Sequence, residues 1–347
     1  MNIWESIADS DEPPPIIAEL SGNHNGDIEI AKTIIKSLAS VGGSLIKLQT
    51  YTPESLTIHS DTDDFIVNTP NKNWNGRSLY SLYEEAALPL EWHSELISYA
   101  QGLGITTFTS LFHVKDLKFC EELGIAAYKI ASQECIHYEL LKAVAGTNKP
   151  IFLSTGMATL GEIEEALSVI KSNGCSQVIL MKCTSAYPAD PRDTNILSIP
   201  IMRKLFNLPI GFSDHTTGIG SALAAISHGA RCIEKHLCSS SAKNGVDGEF
   251  SVDELVFEKL ILESRNAFYS LGEPTFNPTA REQIYYNGRR SIFATKDIPQ
   301  DERLTKDNIA VIRPNKGLHP KFFNTVVGMK AVSPIKRGTP IDWSLLK

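Results

Sequence analysis

The sequence of 347 residues has no CxxC pair among its six cysteines, no long basic tract, and no apolar run near the roughly 18 residues of a membrane-spanning helix. The missing basic tract, with 33 Lys and Arg against 40 Asp and Glu for a net charge of −7, removes the electrostatic footprint of a nucleic-acid binder. An anionic ligand would therefore need a local cluster of cations. The cysteines (Cys120, Cys135, Cys175, Cys183, Cys232, Cys238) lie mostly in apolar runs, which favours buried reduced thiols over disulfides or a zinc cluster. The opening stretch, Met1 to Pro15, is acidic and Pro-rich rather than a charged-then-apolar leader, so neither membrane attachment nor export is expected and the cytoplasm is the expected location. Aromatics are only 8% of the chain, but hydrophobic residues reach 42%, enough for a large globular core.

From residue 16 onward, short β-branched or apolar runs alternate with longer amphipathic stretches. Strands are predicted at Ile16–Leu20, Leu45–Thr50, Thr106–Leu111, Ala127–Ser132, Pro150–Thr155, Gln177–Cys183, Ile210–His215 and Cys232–Leu237. Helices are predicted at Ile28–Ala39, Leu90–Leu103, Val114–Leu123, Tyr138–Ala145, Leu160–Asn173, Asn195–Phe206, Ile219–His228 and Val252–Ser270. Eight strand-helix repeats in roughly 250 residues suit an α/β fold of the closed (β/α)8 TIM-barrel type better than a doubly wound sheet. The stretch from Tyr51 to Pro89 is too long for an ordinary connection and carries Trp74, Tyr80 and Tyr83, so a structured lid or rim is expected there. The division expected is a barrel over 1–272, a linker over 273–288 and a small strand-and-turn domain over 289–347.

The predicted strands end in polar residues: Glu19, Lys47 and Gln49, Thr109 and Ser110, Lys129 and Ser132, Ser154 and Thr155, Lys182 and Thr184, Ser213 to His215, then Glu234 and His236. In a barrel these ends converge on the C-terminal mouth, where this fold keeps its chemistry. Lys47 and Lys129 with Ser110, Ser132, Ser154, Thr184 and Ser213 suit a phosphate and a carboxylate on one small ligand. A lysine in a barrel equally suggests a Schiff-base aldolase. His215 and His236 end adjacent strands and so form a candidate pair for a divalent metal, against the plainer reading of hydrogen-bonded core histidines. Glu19 and Glu234 are candidates for metal ligation or base work, and His24, His93, His113 and His319 for surface or substrate contacts.

At these residues the chain resembles the sialic acid synthase family, enzymes that condense phosphoenolpyruvate with an amino sugar. The phrases IIAELSGNHNGD, IKLQTYTPESLT, YKIASQE, LSTGMAT, KCTSAYP, GFSDHTTG, IEKHL, NGVDGEFSVD and RRSIFATKDI carry the resemblance over nearly the whole chain. LYSLYEEAALPLEWH and GLHPKFF look most like the pseudaminic acid synthase branch. The resemblance implies a TIM barrel followed by a C-terminal antifreeze-like (SAF, β-clip) domain, and a divalent ion (Mn, Mg or Co) on His215 and His236. It also implies phosphoenolpyruvate binding at Lys47, Ser110, Lys129, Ser132, Ser154, Thr184 and Ser213. Glu19 corresponds to the carboxylate that handles the attacking water, Glu134 and Asp247 to carboxylates near the sugar, and Tyr187 to a residue lining its pocket. Arg313 corresponds to an arginine that reaches the barrel of the other subunit in a domain-swapped homodimer. The phrase TSLF replaces a proline-containing one at the third strand, which bears on Ser110. The implied acceptor is 2,4-diacetamido-2,4,6-trideoxy-L-altrose, with N-acetylmannosamine and the legionaminic precursor as alternatives; a sugar-binding scaffold without catalysis is the non-enzymatic one.

Overall fold

Alternation with a period of two organises the sheet, because successive side chains on a strand face opposite sides. The structure, a computed structural model, describes residues 2–8, 11–240, 243 and 245–347. The chain divides into two compact units, Met1–Gly272 and Glu273–Lys347. In the first, β1 (Ile16–Glu19), β2 (Leu45–Thr50), β3 (Thr106–Leu111), β4 (Tyr128–Ile130), β5 (Ile151–Ser154), β6 (Val178–Cys183), β7 (Ile210–Asp214) and β8 (Ile233–His236) form a closed parallel barrel in chain order. Closure comes from β1 pairing with β8, Glu19 opposite His236.

The principal helices packed around it are α1 (Ile3–Ala8), α2 (Ile28–Ser40), α3 (Pro53–Leu56), α4 (Leu79–Ala86), α5 (His93–Gly102), α6 (Leu117–Glu122), α7 (Tyr138–Ala145), α8 (Leu160–Ser172), α9 (Ser198–Phe206), α10 (Gly220–Ser227) and α11 (Glu254–Leu271). In α2, Ala31, Ile34, Ile35 and Leu38 recur at helical spacing and are buried, and the Asp27 side chain caps its start. A capping box of Thr159 and Glu162 starts α8. Two predicted boundaries move inward for local reasons. The helix expected from Asn195 begins at Ser198, since Asn195 adopts a left-handed backbone at φ 47°. The strand expected over Ala127–Ser132 is only Tyr128–Ile130, because the chain turns into a short 3-10 helix at Gln133–Ile136.

The barrel interior is layered. Ile17, Leu45, Phe108, Ala127, Phe152, Ile179, Met181 and Cys232 pack together in its lower part, with Phe108 and Phe152 stacked at 4.8 Å. Ile3 and Ile7 of α1 join this cluster and plug the barrel from below. Gly211 is required here, since a Cβ would come within 2.4 Å of both Met181 and Cys232 sulfurs. Two residues further along most strands, the inward position turns polar: Glu19, Lys47, Ser110, Lys129, Ser154, Ser213 and Glu234.

The segment between β2 and α5 is structured, as expected from its aromatics: it holds α3, a turn at Asp63–Phe65, an Ile66–Ser78 bridge and α4. All six cysteines are buried and free. Among the described residues no helix is long and apolar enough to cross a membrane.

The second unit has its own core of Ile292, Ala294, Ile298, Leu304, Ile309, Val326, Ala331, Ile335, Ile341 and Leu346. It surrounds an antiparallel pair, β9 (Ser291–Ala294) and β10 (Ile309–Ile312). Residues 273–290, which precede that pair, are all exposed.

Candidate active site

A cavity of about 550 Å³ opens within the first unit above the apolar layer. Its lining contains Glu19, Lys47, Ser110, Lys129, Ser132, Glu134, Ser154, Tyr187, Ser213, His215, His236 and Asp247, twelve of the fourteen residues expected at the site. Thr184 is the exception within the barrel: its hydroxyl donates to the Asp193 carbonyl at 3.1 Å, outside the cavity lining. Its contribution comes through its backbone, whose carbonyl takes the Nδ1 proton of His215 at 2.9 Å. Arg313 belongs to the second unit, where it follows β10 and is exposed.

Glu234 organises the charges. Its carboxylate accepts from Lys47 Nζ at 2.9 Å, Lys129 Nζ at 2.6 Å and Ser213 Oγ at 3.1 Å, all buried. Burial would raise its pKa, but Lys129 and Lys47 overrule that and hold it far below the usual carboxylate range. Although a candidate base or metal ligand from sequence, Glu234 is thereby committed to anchoring the two lysines. The Lys47–Glu234–Lys129 triad carries a net single positive charge, and each ammonium keeps donors beyond those given to Glu234. Burial pushes the Lys129 ammonium down despite Glu234, whereas Lys47, buried too but flanked by Glu19 and Glu234, is held up.

Glu19 lies 3.3 Å from Lys47 Nζ and accepts from Gln49 Nε2 at 2.6 Å; Gln49 also reaches Ser21 at 2.9 Å. Burial lifts Glu19 to about 7 against the pull of Lys47. Glu134 is lifted to about 7 by burial as well, and its Oε2 has no hydrogen-bond partner. Asp247 accepts from the Gly22 amide at 3.1 Å and is also raised by burial. Ser110 Oγ is buried without a partner. Ser132 accepts from the Gly156 amide at 3.1 Å, and a Cβ at 156 would lie 2.7 Å from that hydroxyl and 2.3 Å from Ser185 Oγ, so a larger residue would displace both.

The two imidazoles lie with ring centroids 5.4 Å apart, under Tyr187 at 4.3 Å from His215 and Phe250 at 4.8 Å from His236. Because a carbonyl only accepts, His215 carries a proton on Nδ1, and although burial pulls the other way, Cys183 and the Thr184 carbonyl hold its pKa above the ordinary histidine value. Burial, then the neighbouring His215, keeps His236 neutral by pushing its pKa well below normal, and its Nδ1 has no hydrogen-bond partner. Cys183 lies 3.9 Å from His215 Nδ1, and that histidine brings its thiol down to about 7 against burial.

Four other histidines lie outside the cavity lining, two buried and two at the surface. His24 bonds the Ala86 carbonyl and His93 bonds Thr50, both buried. His113 and His319 accept backbone amides at the starts of short helices. Gln49 and Cys183 line the cavity unanticipated as site residues; Gln49 stands two positions after Lys47 on the inward face, a period-two signal that was available. Trp74 and Tyr83 of the segment expected to form a lid or rim line the cavity, as does Phe112, while Tyr80 does not and bonds Glu54 instead.

Residues 34–275 match the NeuB family, and residues 289–347 match the SAF domain. The chain is 39% identical over 333 residues to the pseudaminic acid synthase of Helicobacter pylori, covering 95% of this chain and 97% of that one. It is 33% identical to the N,N'-diacetyllegionaminic acid synthase of Campylobacter jejuni, over 92% of this chain and 96% of the relative. Among solved structures, the N-acetylneuraminic acid synthetase of Leptospira borgpetersenii in complex with citrate superposes with a TM-score of 0.68 at 32% identity, covering 79% of this chain and 90% of that chain. The chain is an enzyme of the NeuB family.

Proposed function

We propose that the protein is a pseudaminic acid synthase. It condenses phosphoenolpyruvate with 2,4-diacetamido-2,4,6-trideoxy-L-altrose to a nine-carbon 2-keto acid and releases phosphate. The observation that carries the reading is the single cavity in which a buried pair of lysines meets two imidazoles, with Ser110 Oγ, Glu134 Oε2 and His236 Nδ1 all lacking protein partners. Buried polar atoms normally find partners, so atoms left open in a cavity are suited to a polar ligand. The greater likeness to pseudaminic than to legionaminic acid synthases supports this acceptor over the others.

In the reaction, carbon 3 of phosphoenolpyruvate bonds to the acceptor's aldehyde carbon, water adds at carbon 2, and the bond from carbon 2 to the phosphate oxygen breaks. Lys47 and Lys129 bind the substrate's negative groups with Ser132, Ser154 and Ser213, and Ser110 supplies an open hydroxyl donor. Thr184 acts through its carbonyl, fixing the His215 tautomer rather than touching phosphate. Glu19, lifted towards neutrality, holds or gives up the proton of the incoming water at working pH. Glu134 and Asp247, both in the cavity lining, accept from the acceptor's N–H and O–H groups in this reading.

His215 and His236 fit a divalent ion, because both are buried, His236 Nδ1 has no hydrogen-bond partner, and with Nδ1 of His215 on the Thr184 carbonyl its Nε2 is the nitrogen that an ion would take in place of a proton. Among the described residues no third His, Cys, Asp or Glu completes a protein-only cage, which suits an ion that keeps positions open. Such an ion supplies Lewis-acid polarisation of the acceptor's carbonyl oxygen. At Lys47, where burial is outweighed by Glu19 and Glu234 and the ammonium is held protonated and non-nucleophilic, the ion pairs weigh against a Schiff-base aldolase. A second copy contributes Arg313 in this reading, which rests on the family resemblance and on that residue's exposure.

The deciding experiment follows phosphate release from phosphoenolpyruvate with each of the three candidate acceptors, with and without EDTA and added Mn. Release that depends on the trideoxy acceptor and is abolished by EDTA supports the assignment. Release only with N-acetylmannosamine or the legionaminic precursor reassigns the acceptor, and no release with any acceptor refutes the synthase reading.

A further inference from the structure

Every charged residue that lines the cavity comes from the barrel strands or from the connections that follow β4, β7 and β8. Between β2 and α5, by contrast, the segment brings Leu56, Val67, Trp74, Leu79, Leu82 and Tyr83 to the lining, and none of these is charged. Three side-chain bonds to backbone carbonyls tie this wall down. Asn71 Nδ2 donates to the Tyr187 carbonyl at 3.1 Å, Asn73 Nδ2 to the Gly245 carbonyl at 3.1 Å, and Trp74 Nε1 to the Val246 carbonyl at 2.8 Å. Asn71 is fully buried, and its Oδ1 accepts the Asn73 amide at 2.9 Å, so one side chain joins both sides of the seam. The Trp74 ring stands 5.2 Å from Tyr187 and 5.8 Å from Phe250, the two rings that cover the imidazoles.

We propose that this stapled segment reads the acceptor, its apolar wall selecting a sugar that ends in a methyl over one that ends in a hydroxymethyl, with Asn71 as the positioning residue that holds the wall in register. The inference rests on the proposed function and deepens it. The acceptor's aldehyde must lie beside the imidazoles and lysines, so its far end extends to the wall between β2 and α5. Trp74 has already given its N–H to Val246, and the other polar side chains this stretch brings to the lining are Tyr51 at its start, Thr69 and Tyr83. A terminal hydroxyl facing the leucines and Trp74 would lose its water without a new partner. An apolar pocket rejects an added hydroxyl by no more than roughly a hundredfold, so selectivity of ~10- to 100-fold is expected.

The test uses the full-length enzyme with added Mn and two acceptors, 2,4-diacetamido-2,4,6-trideoxy-L-altrose and its 6-hydroxy counterpart. The native protein should favour the deoxy sugar in kcat/KM, and Trp74→Ala should raise the acceptor KM about tenfold or more while bringing the ratio to within about threefold of one. Asn71→Ala should raise the acceptor KM several-fold and leave the KM for phosphoenolpyruvate unchanged, a split that general loosening of the barrel would not produce. Should Trp74→Ala fail to fold, Val67→Thr keeps the shape, adds a hydroxyl, and should narrow the ratio by at least about threefold. A native ratio near one overturns the proposal, as does a ratio that these variants leave unmoved, or an Asn71→Ala enzyme in which both KM values rise together. In each of these cases phosphate release persists and the synthase assignment stands, whereas release with neither acceptor overturns both.

Discussion

The strand ends of the barrel and the segment between β2 and α5 face the same cavity, yet they are built by opposite rules. In the strands, each inward side chain is fixed by backbone pairing on both sides. Glu19, for example, stands opposite Lys47 on one neighbour and His236 on the other. That rigidity allows four charged groups, Glu19, Lys47, Lys129 and Glu234, to be buried in one connected run of ion pairs. The segment has no ladder to hold it, contributes no charge to the lining, and relies on side-chain amides and an indole reaching backbone carbonyls. Charge is kept where position is over-determined; apolar shape, which tolerates small displacements, is left to the connection.

The contrast is broken most severely at Glu234. Glu234→Ala leaves Lys47 and Lys129 buried without their shared carboxylate, and a loss of about 3–5 kcal/mol is expected in urea unfolding at neutral pH. The deficit should shrink as pH rises, because ammonium groups with depressed pKa values shed their protons and cease to oppose folding. A deficit under about 1 kcal/mol would mean the strand-end charges are not organised as described.

At Glu134 the effect is smaller and of opposite sign. Its folded pKa of about 7 exceeds the ordinary value of 4.5, so ionisation costs stability as pH rises between them. Glu134→Gln should therefore stabilise the protein at pH 8 by up to about 3 kcal/mol, and by nothing at pH 4, where the carboxyl is protonated in both states. Thermal melts at the two pH values check this, and equal shifts at both would contradict it. If Glu134 meets the acceptor, the same variant should raise the acceptor KM with little change in that for phosphoenolpyruvate.

Replacing His215 by Ala should abolish Mn-dependent phosphate release while the folded barrel persists by circular dichroism; residual release that EDTA still quenches would place the ion elsewhere. The smallest effect is expected within the segment itself. Tyr80→Phe removes a hydroxyl bonded to Glu54, away from the cavity, and should change stability by less than about 0.5 kcal/mol and leave both KM values unchanged. A large change would mean that the whole segment, not only its lining face, is tuned.

The same division explains what was legible in advance. Strands with a period of two announce themselves, and polar residues at their ends point to the mouth, so the barrel and most of its lining could be read from residues such as Lys47, Lys129 and His236. The roles were less legible than the positions. Glu234 looks like Glu19 in sequence, and only the convergence of two lysines and Ser213 makes it an anchor. Thr184 shares the residue type and location of its neighbours, but the Asp193 carbonyl captures its hydroxyl and turns it outward. His24 and His93 were ambiguous because imidazoles serve equally well as buried hydrogen-bonding struts. The seam at Asn71 left no local signal at all, since its partner lies 116 residues away.

The plug formed by Ile3 and Ile7 under the stacked Phe108 and Phe152 closes the lower end of the barrel among the described residues, which gives the cavity a floor. Traffic is then last in, first out. In the proposed reaction the ligand held by the strand-end lysines lies beneath whatever meets the wall between β2 and α5, so phosphoenolpyruvate must enter before the sugar. An acceptor bound first would act as a stopper, and excess sugar would slow the enzyme by covering the lysines.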